Sequence, residues 1–153
     1  ILSKDETPTE IDITRALRET VERMEPTDSD VAVTTELPGE IRLLTDKETV
    51  TMAVKSALEN AFEYATSAVT VAVEDGPNGC VITISDDGPG IPEEELTPIV
   101  TRTETRLQHG RGLGLWQLRW CVDSFNGELS FETETGTLVR ITVPDRRGSG
   151  RPD

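Results

Sequence analysis

Lysine is almost absent from this sequence: only Lys4, Lys47 and Lys55 occur among its 15 basic residues, against 29 acidic residues. The net charge of −14 would repel the phosphates of a nucleic acid, which argues against a free nucleic-acid-binding protein. The shortage of lysine beside the acidic excess favours a protein from a salt-rich cytoplasm, where the Debye length is about 3 Å at molar salt. An acidic protein from an ordinary cytoplasm is the alternative interpretation.

Long apolar runs, cysteines and aromatic residues are scarce as well. No run approaches the roughly 18–20 apolar residues that span a membrane, and the first residues lack the basic patch and apolar core of a secretion signal. Because an initiator methionine is also missing, we expect a piece of a longer cytoplasmic protein. Cys80 and Cys121 lie far apart within apolar segments, which predicts buried free thiols rather than a disulfide or a metal site. With 153 residues, 35% of them hydrophobic and only 4% aromatic, we expect one domain with an aliphatic core.

The spacing of apolar residues predicts helices separated by short strands and hairpins. A helix is predicted over 11–24, and Asp46 is typical of the N-cap of a second helix that ends near Ala65. The other predicted elements are strands near 31–33 and 41–44, a hairpin over 69–84, one helical turn over 92–96, a long loop over 97–111, a buried helix from Leu113 to Phe125 and a closing hairpin over 129–143. Because the strands come mainly as hairpins rather than as alternating βαβ units, the fold class is α+β, with a mixed, largely antiparallel sheet and helices on one face.

A glycine-rich loop, Asp86-Asp87-Gly88-Pro89-Gly90-Ile91, follows the second strand of the first predicted hairpin. An aspartate at a strand end can accept a hydrogen bond from an exocyclic amine, and the two glycines allow a flat ring to approach the backbone. Ile91 can pack against such a ring. Taken alone, these residues fit an ordinary acidic turn equally well.

A second glycine-rich segment, Gly110-Arg111-Gly112-Leu113-Gly114-Leu115, leads into the helix that begins near Leu113. Backbone N–H groups at a helix N-terminus form an anion site. No Lys-Ser/Thr pair follows, so the segment is not a P-loop, and the lack of a preceding strand argues against a dinucleotide-binding fingerprint. A flexible loop with a glycine cap is the alternative.

Asn60 lies on the second predicted helix, at the edge of its buried stripe. A side-chain carbonyl at such a position can ligate Mg²⁺. Taken alone, an asparagine that bonds to the backbone is the simpler interpretation, so the magnesium hypothesis depends on the two glycine-rich segments.

The three segments occur together and in order, and as a set they resemble the ATP-binding catalytic domain of sensor histidine kinases. The matching boxes are Glu59-Asn60-Ala61-Phe62-Glu63-Tyr64 for the N box, residues 86–91 for the G1 box and residues 110–115 for the G2 box, with Asn126-Gly127-Glu128-Leu129 and Gly136-Thr137 resembling the closing hairpin. The resemblance covers about residues 10–144. It implies the two-layer α/β sandwich, or Bergerat-type fold, shared by gyrase, Hsp90, histidine kinases and MutL. The acidic composition and the Gly-Leu-Gly-Leu-Trp run further resemble histidine kinases of halophilic archaea.

The resemblance also implies ATP and Mg²⁺ as cofactors and assigns roles to individual residues. Asp86 would bind the adenine amino group, Gly90 and Thr137 would line the base pocket, and Asn60 would hold Mg²⁺, while no catalytic residue is assigned. Residues 97–111 would form a lid over the nucleotide. The full set expected to contact the nucleotide is Asn60, Tyr64, Asp86, Gly88, Gly90, Ile91, Arg102, Arg106, His109, Gly110, Arg111, Gly112, Leu113, Gly114, Leu115 and Thr137.

A kinase of this family transfers the γ-phosphoryl group of ATP to a histidine on a separate dimerisation domain, and a response regulator then receives it. The single histidine, His109, lies beside Gly110 rather than on an amphipathic helix, so the acceptor must come from elsewhere. We therefore expect a chain that binds ATP but does not autophosphorylate alone. The expected division is 1–10 as the end of a preceding dimerisation domain or linker, 11–144 as the catalytic domain and 145–153 as a disordered tail, without nucleic-acid or membrane contact.

Other activities fit the same fold. Gyrase-type and Hsp90-type ATPases place a glutamate base one helical turn before the magnesium asparagine, where this chain has Ser56; Glu59 points about 100° away around the helix. Glu63, where many members carry a basic residue, and the lack of Phe in 98–100 favour instead a degenerate nucleotide-sensing or protein-docking module. A serine kinase that acts on a regulatory partner would use the same site.

Overall fold

The computed structural model describes residues 8–25, 30–101 and 113–146. Their secondary structure is β1 (Thr9–Asp12), α1 (Ile13–Met24), β2 (Ala32–Glu36), β3 (Arg42–Thr45), α2 (Lys47–Tyr64), β4 (Ala68–Gly76), β5 (Gly79–Asp86), α3 (Glu93–Thr101), α4 (Leu113–Ser124), β6 (Glu128–Glu132) and β7 (Thr137–Pro144). Five strands form one sheet in the order β2-β4-β5-β7-β6, and β1 pairs with β3 in a separate two-stranded sheet. Only β2 and β4 are parallel within the large sheet. The predicted α+β fold with a mixed sheet is confirmed.

The core lies between one face of the large sheet and the helical layer. Alternate residues of β4, β5 and β7 are buried on this face, so each strand contributes one row of aliphatic side chains. The α2 helix runs through the middle of the layer and contacts α1, α4, β5 and β7. Most buried side chains are Val, Ile, Leu or Ala, as the scarcity of aromatic residues predicts. Both cysteines are buried and free, and burial raises the pKa of the Cys80 thiol to about 12.

The predicted helix over 11–24 begins two residues later than expected. Ile11, at which the predicted helix began, belongs to β1 and pairs with Leu43 of β3. Asp12 stops the strand because its side chain accepts hydrogen bonds from the backbone N–H groups of Arg15 and Ile41, at 3.4 and 3.3 Å. Ordered structure therefore reaches into the polar segment 1–10, in which Thr9 and Glu10 are paired strand residues.

Two other boundaries differ from the sequence-based expectation. The single turn predicted over 92–96 is the start of the nine-residue α3, which takes up the first five residues of the predicted loop 97–111. Pro98 lies inside this helix and concealed its period, since proline normally ends a helix. At the other end, Asp145 accepts a hydrogen bond from the Leu44 N–H at 3.1 Å, so the folded region continues past Pro144.

The second predicted helix is confirmed almost to the residue. Asp46 is its N-cap, and the carboxylate accepts bonds from the backbone N–H and the hydroxyl of Thr49, at 3.3 and 3.0 Å. The helix ends at Tyr64, with Ala65 as its C-cap. Across the described ranges, no helix is both long and apolar enough to cross a membrane.

The acidic surface predicts a fold that salt stabilises. A net charge of −14 on 153 residues produces mutual repulsion in the folded state. Raising KCl from about 0.1 M to 1 M shortens the Debye length from about 10 Å to about 3 Å, so we expect the thermal midpoint to rise by several degrees. Thermal melts in KCl and in an isosmotic sucrose series check this, because sucrose does not screen charge. Equal midpoints at low and high KCl would contradict it.

Candidate functional site

Asp86 ends β5 at the edge of the core. It pairs with Val69 of β4 on one side and with Thr137 of β7 on the other, and it is only 7% exposed. Its Oδ1 accepts a hydrogen bond from the Gly88 N–H at 2.8 Å, which holds the next residues in a tight turn. Burial raises the pKa of Asp86 above the ordinary carboxyl value; the Gly88 bond lowers it, and the charge of Asp87 raises it. The site therefore contains a buried carboxylate that favours a hydrogen-bond donor as its ligand.

The loop after β5 packs so closely on its neighbours that it requires glycine. A Cβ on Gly88 would overlap the backbone carbonyl oxygen of Tyr64, the last residue of α2. Gly90 and Gly136 have φ angles of +93° and +98°, which side-chain-bearing residues rarely adopt. A Cβ on Gly136 would also overlap the carbonyl oxygen of Asp86. The loop is thus held between the end of α2 and the turn that joins β6 to β7.

Asn60 and Thr137 each bury a polar atom that lacks a partner. Asn60 is 9% exposed on α2 and Thr137 is 2% exposed at the start of β7. Among the residues described, nothing bonds to the Asn60 Nδ2 or to the Thr137 Oγ1. Because an unpaired buried donor or acceptor costs about 1–3 kcal/mol, such an atom calls for a partner outside the described residues, for which a bound ligand and an ordered water are both candidates. Both residues were predicted to bind the nucleotide.

Tyr64 connects α2 to α3. Its hydroxyl donates a hydrogen bond to the Glu95 carboxylate at 3.1 Å, while its backbone carbonyl lies against Gly88. Tyr64 therefore joins the loop after β5 to the helix that leads into residues 102–112. Ile91, which was predicted to stack on a ring, is only 5% exposed and belongs to the core.

The first turn of α4 presents backbone N–H groups next to a small residue. An added Cβ on Gly114 would meet no atom of the described residues within 4 Å, so among them the backbone is open at this position. The Leu115 side chain is buried in the core. Further along α4, Trp116 and Arg119 are almost fully buried, and within the described ranges neither the Trp116 Nε1 nor the Arg119 Nε has a partner. Arg119 also donates through Nη2 to Asp123 at 2.8 Å.

A cavity of about 720 Å³ opens beside the end of β5. Asp86 and Thr137 line it, but so do Thr70, Ser85 and Leu138, which form a row on the sheet face that carries no helix. Asn60 is not part of this lining. The cavity therefore does not join the two ends of the predicted nucleotide site.

The remaining predicted residues, Arg102, Arg106, His109, Gly110, Arg111 and Gly112, lie outside the described residues, as does the side chain of Leu113. Of the predicted lid 97–111, residues 97–101 form the end of α3 and the rest lie outside the described ranges.

Three residues at this site were given no role of their own from the sequence: Asp87, Glu95 and Gly136. Asp87 bonds to residues about 20 positions earlier in the chain, and Glu95 bonds to Tyr64, 31 positions earlier. Such long-range pairings leave no local pattern. Gly136 could have been found, because a Thr-Gly-Thr sequence between two predicted strands is typical of a turn with a positive φ angle.

The chain is similar to bacterial sensor kinases. Residues 45–147 match the family described as histidine kinase-, DNA gyrase B- and HSP90-like ATPases. The sensor histidine kinase GtrS of Pseudomonas aeruginosa is 36% identical over 96 residues, which are 60% of this chain and 20% of GtrS. The sensor protein kinase CarS of the same bacterium is 33% identical over 119 residues, which are 74% of this chain and 26% of CarS. The chain thus spans about a fifth to a quarter of the length of these relatives.

Solved structures agree with this match. The catalytic domain of the histidine kinase ThkA, in a nucleotide-free form, is 25% identical to the chain and has a TM-score of 0.77. The alignment covers 90% of this chain and 95% of the ThkA chain. The similarity therefore extends over nearly the whole fold described above.

Proposed function

The chain belongs to the family of histidine kinase-, DNA gyrase B- and HSP90-like ATPases, and on that premise we propose that it binds Mg-ATP and, within a longer sensor kinase, donates the γ-phosphoryl group to a histidine on a separate dimerisation domain. The observation that carries the proposal is that Asn60 Nδ2 and Thr137 Oγ1 are buried without a partner among the described residues, and that Thr137 pairs directly with the buried Asp86. Thr137 would suit the base end of a nucleotide, and Asn60 would suit the phosphate end.

Asp86 and Thr137 would bind the adenine base through hydrogen bonds. Their direct pairing across β5 and β7 puts them side by side, and the Asp86 Oδ1 already accepts the Gly88 N–H. The other carboxylate oxygen can accept the exocyclic amine of adenine, and the Thr137 hydroxyl can bond to a ring nitrogen. Guanine carries a carbonyl in place of that amine and would face the carboxylate with a second acceptor, so we expect a preference for adenine.

Asn60 and the start of α4 would hold the phosphates. In the described part of the chain, no three His, Cys, Asp or Glu side chains come together as a metal site. This fits Mg²⁺, which usually takes one or two protein ligands together with substrate phosphates and water. The Asn60 carbonyl would serve as that ligand, its Nδ2 would donate to a phosphate oxygen, and the open backbone at Gly114 would donate to the others. Bound Mg²⁺ would neutralise phosphate charge during transfer.

Transfer to another domain fits the residues around Asn60 better than hydrolysis. One turn before Asn60 lies Ser56, which is 2% exposed and too weak a base to activate water. Glu59 is exposed on the outer side of α2. A gyrase-type ATPase would need a carboxylate where Ser56 lies. The partners would then be a dimerisation and phosphoacceptor domain and a downstream response regulator, in a cytoplasm rich in salt.

Calorimetric titration of Mg-ADP and of a non-hydrolysable Mg-ATP analogue into the chain, in molar KCl, tests the proposal. We expect saturable binding with one nucleotide per chain, and phosphoryl transfer from ATP only after a dimerisation domain with its histidine is added. A folded chain without binding at millimolar nucleotide would favour a protein-docking module, and steady release of phosphate by the chain alone would favour an ATPase.

Replacing Asn60 tests the phosphate end. In Asn60→Leu, which removes the amide at nearly constant volume, we expect EDTA to have little effect on ADP affinity, whereas in the wild type chelation weakens binding. The loss of affinity at saturating Mg²⁺ should be about 10- to 100-fold, the size of a lost bond to a charged group. Glu59→Gln, at the exposed neighbouring position, serves as the control and should bind as the wild type does. An unchanged Mg²⁺ dependence in Asn60→Leu would argue against Asn60 as the ligand.

A further inference from the structure

The Asp87 carboxylate binds a run of three consecutive backbone N–H groups. Its Oδ1 accepts hydrogen bonds from the N–H groups of Thr66, Ser67 and Ala68, at 3.0, 2.9 and 3.0 Å. Its Oδ2 accepts a bond from the Ser67 hydroxyl at 2.6 Å. Consecutive N–H groups of this kind form an anion-binding concavity, and here a side chain of the same protein is the anion. We refer to Asp87 and residues 66–68 as the Asp87 clasp.

The clasp joins three parts of the fold at one point. It lies in the connection between α2, which ends at Tyr64, and β4, which begins at Ala68. The Asp87 N–H also donates to the Ala68 carbonyl at 3.2 Å, and the Ser67 carbonyl accepts from the N–H of Ala32 in β2, at 2.8 Å. The loop after β5 is therefore attached to the end of α2 and to the first residues of two strands.

The residues on either side of Asp87 complete this attachment. Gly88 lies against the carbonyl of Tyr64, one turn beyond Asn60 on α2, and its N–H bonds to Asp86. Asp86 is covalently next to the clasp. On the side of the loop that faces α2, the position of the Asp86 carboxylate relative to Asn60 is thus supported by a polar side chain, Asp87, which is itself exposed and makes no part of the core.

From these contacts we infer that Asp87 is a positioning residue, which fixes the Asp86 carboxylate relative to Asn60 and thereby sets how strongly the site selects for adenine. The inference rests on the proposed function, since it assigns a role within that nucleotide site. Both oxygens of the Asp87 carboxylate already bond to residues 66–68, so Asp87 itself would touch neither base nor phosphate. A residue that merely fastened the α2–β4 connection would change stability but not the selection among bases.

The test compares Mg-ADP with the Mg complex of purine riboside diphosphate, which lacks the 6-amino group that Asp86 would bind. The measured quantity is the ratio of the two dissociation constants, by calorimetry in molar KCl. We expect about a 10- to 100-fold preference for Mg-ADP in the wild type, the size of one bond to a carboxylate. In Asp87→Ala, which lacks the side-chain bonds of the clasp, the preference for Mg-ADP should fall about tenfold. In Asp87→Asn it should stay within about threefold of the wild type, since the amide oxygen can still accept the three N–H bonds.

Asp12→Ala is the matched control. Asp12 also bonds to two backbone N–H groups, but at the start of α1, so this variant should lose thermal stability and keep the wild-type preference. If Asp87→Ala behaves in the same way, Asp87 only fastens the chain and the inference is overturned. If Asp87→Asn loses the preference as fully as Asp87→Ala, the charge of Asp87 rather than its position is responsible, and the inference is also overturned.

Should Asp87→Ala not fold, Ser67→Ala removes only the 2.6 Å hydroxyl bond and should lower the preference about threefold; an unchanged preference there overturns the inference. A wild-type chain that binds neither nucleotide overturns the proposed function, and the inference with it. If the wild type prefers Mg-ADP and Asp87→Ala keeps that preference, the inference is overturned but the proposed function is not.

Discussion

Asp86→Asn should lose Mg-ADP binding by at least about 100-fold while the nucleotide-free domain becomes more stable to heat. The binding loss follows because Asn must use its carbonyl for the Gly88 N–H, which leaves an NH₂ group facing the amine of adenine. The gain in stability follows because burial disfavours the charged form of Asp86. Calorimetry with Mg-ADP and thermal melts without nucleotide measure the two effects.

The pH dependence of stability and of nucleotide affinity provides a second test of the Asp86 prediction. The folded-state pKa of Asp86 is raised, so the folded domain holds a proton over a window above the ordinary carboxyl pKa, where the unfolded chain has released it. The contribution of Asp86 to the free energy of unfolding therefore decreases as the pH rises through that window. Nucleotide affinity should change in the opposite direction, because only the charged carboxylate accepts the adenine amine. In Asp86→Asn the contribution of Asp86 to both dependences should be absent, whereas the other carboxylates keep theirs.

The contribution of Asp87 to stability should depend on pH in the opposite direction to that of Asp86. The bonds from the Ser67 hydroxyl and from the backbone N–H groups hold the pKa of Asp87 well below its usual range. Its stabilising contribution is therefore complete above the ordinary carboxyl pKa and is lost as the pH falls below it.

Asp75→Asn, at an exposed position in β4, is the control for both aspartates and should leave affinity and its pH dependence unchanged. Tight binding of Mg-ADP by Asp86→Asn would rule out the assigned adenine contact.

Local patterns were sufficient for most of the fold. Strands with alternating burial and the helix capped by Asp46 are specified by neighbouring residues, and these predictions are confirmed. Errors arose where a distant segment decides the outcome. Ile11 lies two residues before Ile13, about 200° away around a helix, so the helical period begins at Ile13 and the pairing of Ile11 with Leu43 makes it a strand residue. In α3, helix formation around Pro98 depends on burial of Pro98 and Ile99 against the rest of the domain rather than on propensity.

The same distinction applies to the candidate site. Asp86, Asn60 and Thr137 could be selected from the sequence because the resemblance carried their roles, and the structure adds that two of them bury unpartnered atoms. The sequence could not indicate Asp87 as more than one acid in an acidic loop, because its partners lie in the connection after α2. Residues that touch a ligand are therefore easier to predict than residues that hold them in place.

Gly136→Ala should be among the most damaging single substitutions at this site. Gly136 has a φ angle of +98°, and an added Cβ would overlap the Asp86 carbonyl oxygen. Strain of this kind costs about 1–3 kcal/mol, and the overlap adds to it, so we expect the free energy of unfolding to fall by at least about 2 kcal/mol. For a domain of this size that corresponds to roughly 4–8 °C in the thermal midpoint.

The effect on binding should exceed what the stability loss explains, because the displaced backbone belongs to Asp86 itself and lies next to Thr137. At a temperature where Gly136→Ala remains folded, we expect its Mg-ADP affinity to be about tenfold or more below that of the wild type. Gly39→Ala is the matched control: a Cβ there would meet no atom within 4 Å in the part of the chain that the structure describes, and its midpoint and affinity should stay close to the wild-type values. A Gly136→Ala domain that melted with the wild type and bound Mg-ADP equally well would show that the turn between β6 and β7 does not hold Asp86 in position. The adenine contact would then depend on the Asp87 side of the loop alone, so the two variants together separate the two supports of the Asp86 carboxylate.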